Sequence, residues 1–218
     1  MIAILVAMER EASPLLQLLN DKTELNVANK KTYTGKLFGK DTVLAITGIG
    51  KVSAGLTTQA IIDRFDPEVI LNYGSVGAVN NTLSIGEYCV INRCFQFDFD
   101  LREIDDVTLG YNQDYDRVFF DSEPINLQGL KHLCLGTSDK FTSNKTVIEE
   151  IIGMGCDVRD MEGAAIAQVC LSNAKRIVMI KGITDVYGLG TDGEQFYNNL
   201  VNVCKGFPAI IEKVYNLL

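Results

Sequence analysis

A chain of 218 residues, 47% of them hydrophobic and 22% charged, has the length and composition of a folded protein with one hydrophobic core. The formal net charge of −8 disfavours binding to nucleic acid or to an anionic membrane surface, and no apolar run is long enough to span a membrane. The apolar N-terminus lacks the basic flank and cleavage site of a leader peptide, so we expect one cytoplasmic domain over residues 1–218.

The cysteines and the single histidine limit which kinds of catalytic or metal site the chain can form. The six cysteines form no C-x-x-C pair and lie mostly in apolar runs, which is typical of reduced, buried thiols. The only histidine, His132, has no metal-ligand residue at a useful spacing. We therefore expect neither a metal nor a cofactor, and any catalysis must use carboxylates, hydroxyls, lysines or thiols.

The first third of the chain alternates strand and helix patterns. Short apolar runs predict strands at residues 2–7 and 69–73, and amphipathic or small-residue runs predict helices at 9–19 and 51–65. A hairpin is predicted for residues 31–47, with its turn around Gly39. The second of the two strands is expected to end in a glycine-rich turn at residues 74–77.

The same alternation continues to the C-terminus. The pattern predicts strands at residues 87–92, 132–136, 157–160 and 176–183, and helices at 143–153, 162–173 and 194–217. Apolar strands that alternate with helices favour a mixed central sheet covered on both faces, a three-layer α/β/α sandwich.

The segment 95–124 follows no period. It is acidic and aromatic, and irregular stretches of this length in compact domains are usually binding loops or subunit contacts. We favour a substrate lid or an interface over a merely solvated loop.

Three carboxylates share one context in this pattern, because Glu11, Glu162 and Asp185 each follow a predicted buried strand. Ligands of open α/β sheets bind at the carboxyl ends of strands, where the glycine turns 48–50 and 74–77 are also expected. These five places can therefore converge on one pocket. Taken singly, each acid is also explained as an ordinary helix-start or turn residue.

Five motifs in order carry a family resemblance. The chain resembles the nucleoside phosphorylase/hydrolase superfamily, and specifically its 5′-methylthioadenosine/S-adenosylhomocysteine nucleosidases, from residue 1 to about residue 200. The matching motifs are Ala7-Met8-Glu9-Arg10-Glu11, Thr47-Gly48-Ile49-Gly50-Lys51-Val52, Asn72-Tyr73-Gly74-Ser75-Val76-Gly77, Asp160-Met161-Glu162-Gly163-Ala164-Ala165-Ile166-Ala167 and Ile183-Thr184-Asp185-Val186.

The resemblance implies hydrolysis of the N-glycosidic bond of 5′-methylthioadenosine, S-adenosylhomocysteine or 5′-deoxyadenosine, with release of adenine. It implies that Asp185 protonates purine N7, Glu11 activates the attacking water and Glu162 holds the ribose hydroxyls. It also implies a homodimer in which the loop within 95–124, around residues 101–104, approaches the partner's pocket. The further substrate-binding residues that it implies are Met8, Ile49, Ser75, Val76, Gly77, Phe141, Thr142, Asp160, Met161 and Phe196.

The chemistry sets protonation states for two of these acids. An acid that protonates the base must be neutral near pH 7, so we expect apolar surroundings to raise the pKa of Asp185. Glu162 lies at a predicted helix start, where the helix dipole favours the ionised carboxylate that accepts hydrogen bonds from hydroxyls. We therefore expect the two carboxyl pKa values to shift in opposite directions.

Three other activities stay open. A phosphate-dependent phosphorylase is disfavoured, because Glu9 and Glu11 stand where phosphorylases carry a phosphate-binding arginine loop, and Arg10 is expected to face solvent. A futalosine-type nucleoside hydrolase shares the Met-Glu-Gly-Ala-Ala run. A non-catalytic nucleoside-binding or storage relative would lack a catalytic carboxylate. One departure from the family is Asp160, where a glutamate is common.

Overall fold

The structure is a computed structural model that describes all residues from 1 to 218, in ten strands, five α-helices and one short 3-10 helix. The strands are β1 Ile2–Val6, β2 Asn20–Val27, β3 Lys30–Leu37, β4 Lys40–Ile46, β5 Val69–Ala78, β6 Tyr88–Gln96, β7 Phe120–Asp121, β8 Lys131–Thr137, β9 Val158–Asp160 and β10 Arg176–Val186. The α-helices are α1 Glu9–Leu16, α2 Lys51–Phe65, α3 Lys145–Gly153, α4 Gly163–Ser172 and α5 Asp192–Leu217.

All ten strands form one mixed sheet in the order β10-β6-β8-β9-β5-β1-β4-β3-β2, with β7 paired to β6. β1 is parallel to β4 and β5, whereas the β2-β3-β4 end is antiparallel. β10 pairs with β6 and also with β5, so five strands close into a ring. β2 is consequently the one long strand with an unpaired edge.

Alternating side chains distribute the core over both faces of the sheet. Along β1, Ala3 and Leu5 point to one face, where α2 and α4 pack, and Ile4 and Val6 point to the other, where α1 and α5 pack. Helices on both faces of a mixed sheet confirm the predicted α/β/α architecture. No helix of the structure combines the length and apolar character needed to cross a membrane.

At the N-terminal end, one predicted helix was too long and one strand was missed. The helix predicted through residue 19 ends at Leu16, and β2, which we did not predict, begins at Asn20. Seven of the eight β2 residues are at least partly exposed, because β2 lies at the sheet edge. An edge strand of that kind lacks the apolar alternation by which strands are recognised.

Two central strands run further than predicted. β5 continues through the supposed glycine turn to Ala78, and β10 continues to Val186, so Asp185 lies inside a strand and not beyond its end. The two strands pair in parallel over this stretch, with a bulge between Ile183 and Asp185. Glycine within a strand often marks a position that a neighbouring group approaches closely.

The irregular segment is shorter than predicted. β6 extends to Gln96, and the remainder contains the 3-10 helix Gln113–Tyr115 and the short strand β7. Phe95 and Phe120 are buried in the core, so the segment is anchored at both ends. Its role as a lid or subunit contact stays a prediction.

Candidate active site

A cavity of about 700 Å³ opens where β1, β5, β9 and β10 end, beside the first turn of α5. Twelve of the thirteen predicted site residues line it, and Thr142 lines a small adjoining pocket that shares Phe141 and Asp185 with the cavity. The twelve are Met8, Glu11, Ile49, Ser75, Val76, Gly77, Phe141, Asp160, Met161, Glu162, Asp185 and Phe196.

Glu11 lies on α1 and is only 2% exposed. Its Oε1 accepts hydrogen bonds from the Ser75 backbone N–H and hydroxyl, both at 2.8 Å, and its Oε2 accepts one from the Met8 N–H at 3.1 Å. Burial raises the pKa of Glu11, while the bonds from Ser75 and Met8 and the charge of Lys181 partly oppose that rise. The result is a fixed carboxyl group that is more basic than an ordinary glutamate.

Glu162 occupies the N-cap position of α4, and its carboxyl accepts a 2.8 Å hydrogen bond from the Gly50 N–H and none from the helix. Gly50 has φ +97°, a conformation that glycine adopts readily, and this confirms the predicted turn at residues 48–50. Through this hydrogen bond, the turn that follows β4 contacts the carboxyl group at the start of α4.

The expected direction of the Glu162 pKa shift was wrong. Burial, followed by the charge of Asp160, raises the pKa of Glu162 to about 8, and the Gly50 N–H and Lys181 only partly offset this rise. Desolvation therefore outweighs the helix dipole on which the expectation rested.

Asp160 and Lys181 form a buried ion pair beside these two glutamates. Lys181 Nζ lies 2.9 Å from Asp160 Oδ2, and the side chains are 3% and 2% exposed. Asp160 also accepts bonds from the Thr137 hydroxyl at 2.6 Å and from the Gly163 N–H at 3.0 Å. The carboxylate that we assigned to substrate binding is thus turned towards protein donors.

Lys181 stays charged in this setting. Burial acts to lower its pKa, but the nearby carboxyl groups of Asp160, Glu162 and Glu11 raise the pKa above its ordinary value. The cluster places one ammonium group among three carboxyl groups.

Asp185 occupies the opposite end of the cavity and is 1% exposed. The bulge in β10 sets its side chain against Gly77, where a Cβ atom would collide with Asp185 Oδ2. The Thr184 hydroxyl lies 2.9 Å from Asp185 Oδ1. Glycine at position 77 therefore provides the space that the carboxyl group fills.

The pKa of Asp185 shifts in the expected direction. Burial raises it, whereas the Thr184 hydrogen bond and the Arg159 charge lower it and the Asp192 charge raises it. The surroundings are more polar than the sequence indicated, because Arg159 and Asp192 come from separate elements.

Arg159 lines the cavity and contacts both Asp185 and Asp192. Its Nη2 lies 2.6 Å from Asp192 Oδ2 and 3.5 Å from Asp185 Oδ2, and its Nη1 donates to the Thr142 carbonyl oxygen. The guanidinium carbon also lies 5.8 Å from the centre of the Phe141 ring. Arg159 is 7% exposed.

The mouth of the cavity is aromatic. Phe141 is 52% exposed, and its ring centre lies 6.4 Å from that of Phe196, which packs edge-on against Tyr197. Ile49 also lines the cavity and is exposed, and Arg10 is exposed as predicted. These side chains offer apolar surface to a ligand that enters between them.

Sequence reasoning missed Lys181, Arg159 and Asp192. The signal for Lys181 was present, since a lysine in the middle of an apolar strand is rarely buried without a charged partner. Arg159 and Asp192 are 33 positions apart in the chain, so their ion pair can be predicted only when the position of α5 in the fold is known.

The six cysteines are free and buried, as predicted. No group of three His, Cys, Asp or Glu side chains is arranged to hold a metal ion. The carboxyl groups of Glu11, Glu162 and Asp185 and the guanidinium of Arg159 line this cavity, and Lys181 lies buried behind Asp160.

Comparisons with known proteins give a consistent family assignment. The profile of the phosphorylase superfamily matches residues 1–214. A 5′-methylthioadenosine/S-adenosylhomocysteine nucleosidase of Staphylococcus epidermidis is 32% identical over 85% of this chain and 86% of its own length. The nucleosidase of Staphylococcus haemolyticus is 30% identical over the whole of both chains. The crystal structure of the Campylobacter jejuni nucleosidase superposes with a TM-score of 0.89 at 27% identity, covering 100% of this chain and 99% of that one.

Proposed function

Because the chain belongs to the phosphorylase superfamily and to its 5′-methylthioadenosine/S-adenosylhomocysteine nucleosidases, we propose that it hydrolyses N-glycosidic bonds. The substrates are 5′-methylthioadenosine, S-adenosylhomocysteine or both, with 5′-deoxyadenosine as a smaller member of the same class. The products are adenine and the 5-substituted ribose.

One observation carries this proposal: the buried carboxyl groups of Glu11, Glu162 and Asp185 line a single cavity at the ends of the central strands. Cleavage of the bond between ribose and purine builds positive charge on the sugar and sends electrons into the base. A site for this reaction needs negative charge near the sugar and a proton donor near the base.

Glu11 is the group we assign to the water nucleophile. The bonds from Ser75 and Met8 fix its orientation, and its raised pKa makes it a better proton acceptor. The water oxygen forms the new bond to the anomeric carbon C1′, and Glu11 takes the proton that the water loses. Glu11 must be ionised at the start of this step, so turnover is lost as pH falls through its pKa.

Asp185 is the group we assign to the leaving base. As the bond between C1′ and purine N9 breaks, its electron pair moves into the ring and N7 takes the Asp185 proton. Burial raises the pKa of Asp185, which favours the neutral acid that this step needs. Turnover is therefore lost as pH rises through the pKa of Asp185.

Glu162 is the group we assign to the ribose hydroxyls, with Met161 beside it. The ammonium of Lys181 and a bound diol both favour an ionised Glu162, against the burial that raises its pKa. An ionised Glu162 stabilises the cationic sugar as the bond breaks.

The aromatic mouth suits the rest of the substrate. Phe141 offers a face on which a purine stacks, and Phe196 and Ile49 offer apolar contact to a 5′-thioalkyl group. Ser75, Val76 and Gly77 line the wall between Glu11 and Asp185, where the ribose lies, with Met8 at its 5′ side.

The test is release of free adenine from 5′-methylthioadenosine in a phosphate-free buffer, with Glu11→Gln as the matched inactive protein. We expect steady release by the wild type and a loss of about 10²–10⁴-fold in the variant. If no adenine is released after long incubation with micromolar wild-type enzyme, the proposal is wrong. A strict requirement for phosphate would assign a phosphorylase instead.

We also propose that the chain acts as a homodimer in the cytoplasm. Ile49, Val52 and Leu56 form an exposed apolar stripe at the start of α2, and Ile104 in the irregular segment is 78% exposed. Six unpaired cysteines suit a reducing compartment. Light scattering tests the dimer: Val52→Glu is expected to shift it to monomer, and a monomeric wild type would contradict the assignment.

A further inference from the structure

The base end of the cavity contains a cation that the proposed mechanism does not use. The Arg159 guanidinium contacts Thr142, Asp192 and Asp185 and lies over the Phe141 ring. Asp185 and Phe141 are the groups assigned above to the base, so Arg159 lies where the edge of a bound purine would meet the protein.

Arg159 has N–H groups that make no hydrogen bond within the protein. A guanidinium carries five N–H groups and has no acceptor. Its three protein contacts run from Nη1 to the Thr142 oxygen and from Nη2 to one oxygen each of Asp192 and Asp185. At least two N–H groups remain, and Arg159 lines the cavity. A ligand atom that forms a hydrogen bond with this side chain must be an acceptor.

Purine chemistry limits which atom that is. N7 and the 6-substituent are neighbours on one edge of a purine, and the 6-substituent is a donor when it is an amino group and an acceptor when it is an oxo group. Arginine recognises the N7 and O6 acceptors of guanine in nucleic acids for the same reason. With N7 at Asp185, the neighbouring 6-oxo oxygen suits a donor beside Asp185, and Arg159 is that donor.

From this geometry we propose, resting on the proposed function, that the site also hydrolyses 6-oxopurine nucleosides and that Arg159 is the residue that selects them. Arg159 donates to O6 while Asp185 protonates N7. For a 6-aminopurine, the second carboxyl oxygen of Asp185 accepts from the amino group. The bonds made and broken are the same for both bases: water oxygen joins C1′, the bond to N9 breaks, and the purine leaves protonated at N7.

Two substrates that differ only at position 6 test the inference, namely 5′-methylthioadenosine and its 6-oxo analogue 5′-methylthioinosine. We expect the wild type to cleave both. In Arg159→Leu the ratio of kcat/KM for the oxo substrate to that for the amino substrate should fall about 10–100-fold, the effect of one hydrogen bond from a charged donor. Arg159→Gln keeps an N–H donor without the charge, so its kcat/KM ratio should lie between those of the wild type and Arg159→Leu.

A ratio measured on one protein sample separates selection from folding. If Arg159 only ties Asp192 and Thr142 together, its loss lowers both rates and leaves the ratio unchanged, which overturns the inference. Arg176→Leu is the matched control, because Arg176 pairs with Glu123 in an exposed bridge away from the cavity, and its ratio should equal that of the wild type.

The wild type distinguishes this inference from the function on which it rests. Normal cleavage of the amino substrate with no cleavage of the oxo substrate overturns the inference and leaves the proposed function intact. No cleavage of either substrate overturns both.

Discussion

One buried cation lies among carboxyl groups near each end of the cavity, but the balance of charge around the two cations differs. At the ribose end, Lys181 is surrounded by Asp160, Glu162 and Glu11, and carboxyls are in excess. At the base end, Arg159 lies between Asp185 and Asp192. An excess of carboxyls suits a sugar that becomes cationic, whereas a guanidinium beside an acid with a raised pKa suits a base that accepts a proton and hydrogen bonds.

The two cations also differ in what holds them in place. Lys181 donates directly to Asp160, which is held in turn by Thr137 and Gly163, so this cation is tied to the framework of the fold. Arg159 is tied to a loop and to the first turn of α5, which also form the cavity wall. We therefore expect substitutions of Lys181 to lower stability and substitutions of Arg159 to change specificity.

Loss of the proton donor should have the largest effect. Asp185→Asn keeps the shape of the side chain but cannot give a proton, so we expect kcat to fall about 10³–10⁴-fold. Adenine release under saturating substrate measures the loss, and a melting curve checks the fold. A rate within tenfold of the wild type would remove Asp185 from its assigned role.

Breaking the buried pair should have the next largest effect. Lys181→Met leaves Asp160 charged and unpaired, and we expect the free energy of unfolding to fall by about 3 kcal/mol. Asp160→Asn in the same chain removes the stranded charge and should recover part of the loss. Urea denaturation measures both variants, and an unchanged midpoint for Lys181→Met would contradict the assigned ion pair.

Raised carboxyl pKa values should make stability fall with rising pH. Because the folded pKa of Glu162 is about 8 against an ordinary 4.5, the folded state binds more protons between these pH values. The unfolding free energy should therefore decrease from pH 4.5 towards pH 8. Glu162→Gln should flatten this slope without abolishing it, since burial also raises the pKa of Glu11 and Asp185. An identical slope in the variant would contradict the shift.

An exposed ion pair should show the smallest effect. Lys145 and Glu149 are one turn apart on α3, with side chains 77% and 63% exposed. Lys145→Met makes the same substitution as Lys181→Met but should change the unfolding free energy by no more than about 0.5 kcal/mol. A loss comparable to that of Lys181→Met would mean that burial is not what distinguishes the two pairs.

Much of the fold followed from local pattern. The apolar runs of β1, β4 and β8 and the amphipathic helices identified the α/β/α layers, because burial on two faces leaves a direct mark on composition. β2 left no such mark at the sheet edge. The glycines of β5 misled us, because the same residue type serves a turn and a strand whose surface is crowded by Glu11 and Asp185.

The candidate site was predictable to a similar degree. Glu11, Glu162 and Asp185 were each expected after a buried strand, and the ordered motifs joined them into one site. The raised pKa of Glu162 was not predictable, because it depends on how deeply the fold buries the carboxyl and on Asp160 next to it. Arg159 required the tertiary contact with α5.

The ring closure of the sheet leaves β2 as its exposed margin. An open margin is a template on which another extended chain can add, and proteins discourage this with charged side chains. Asp21, Lys22 and Glu24 are exposed along β2. The polarity that hid this strand from sequence analysis therefore also protects the chain from edge-to-edge aggregation.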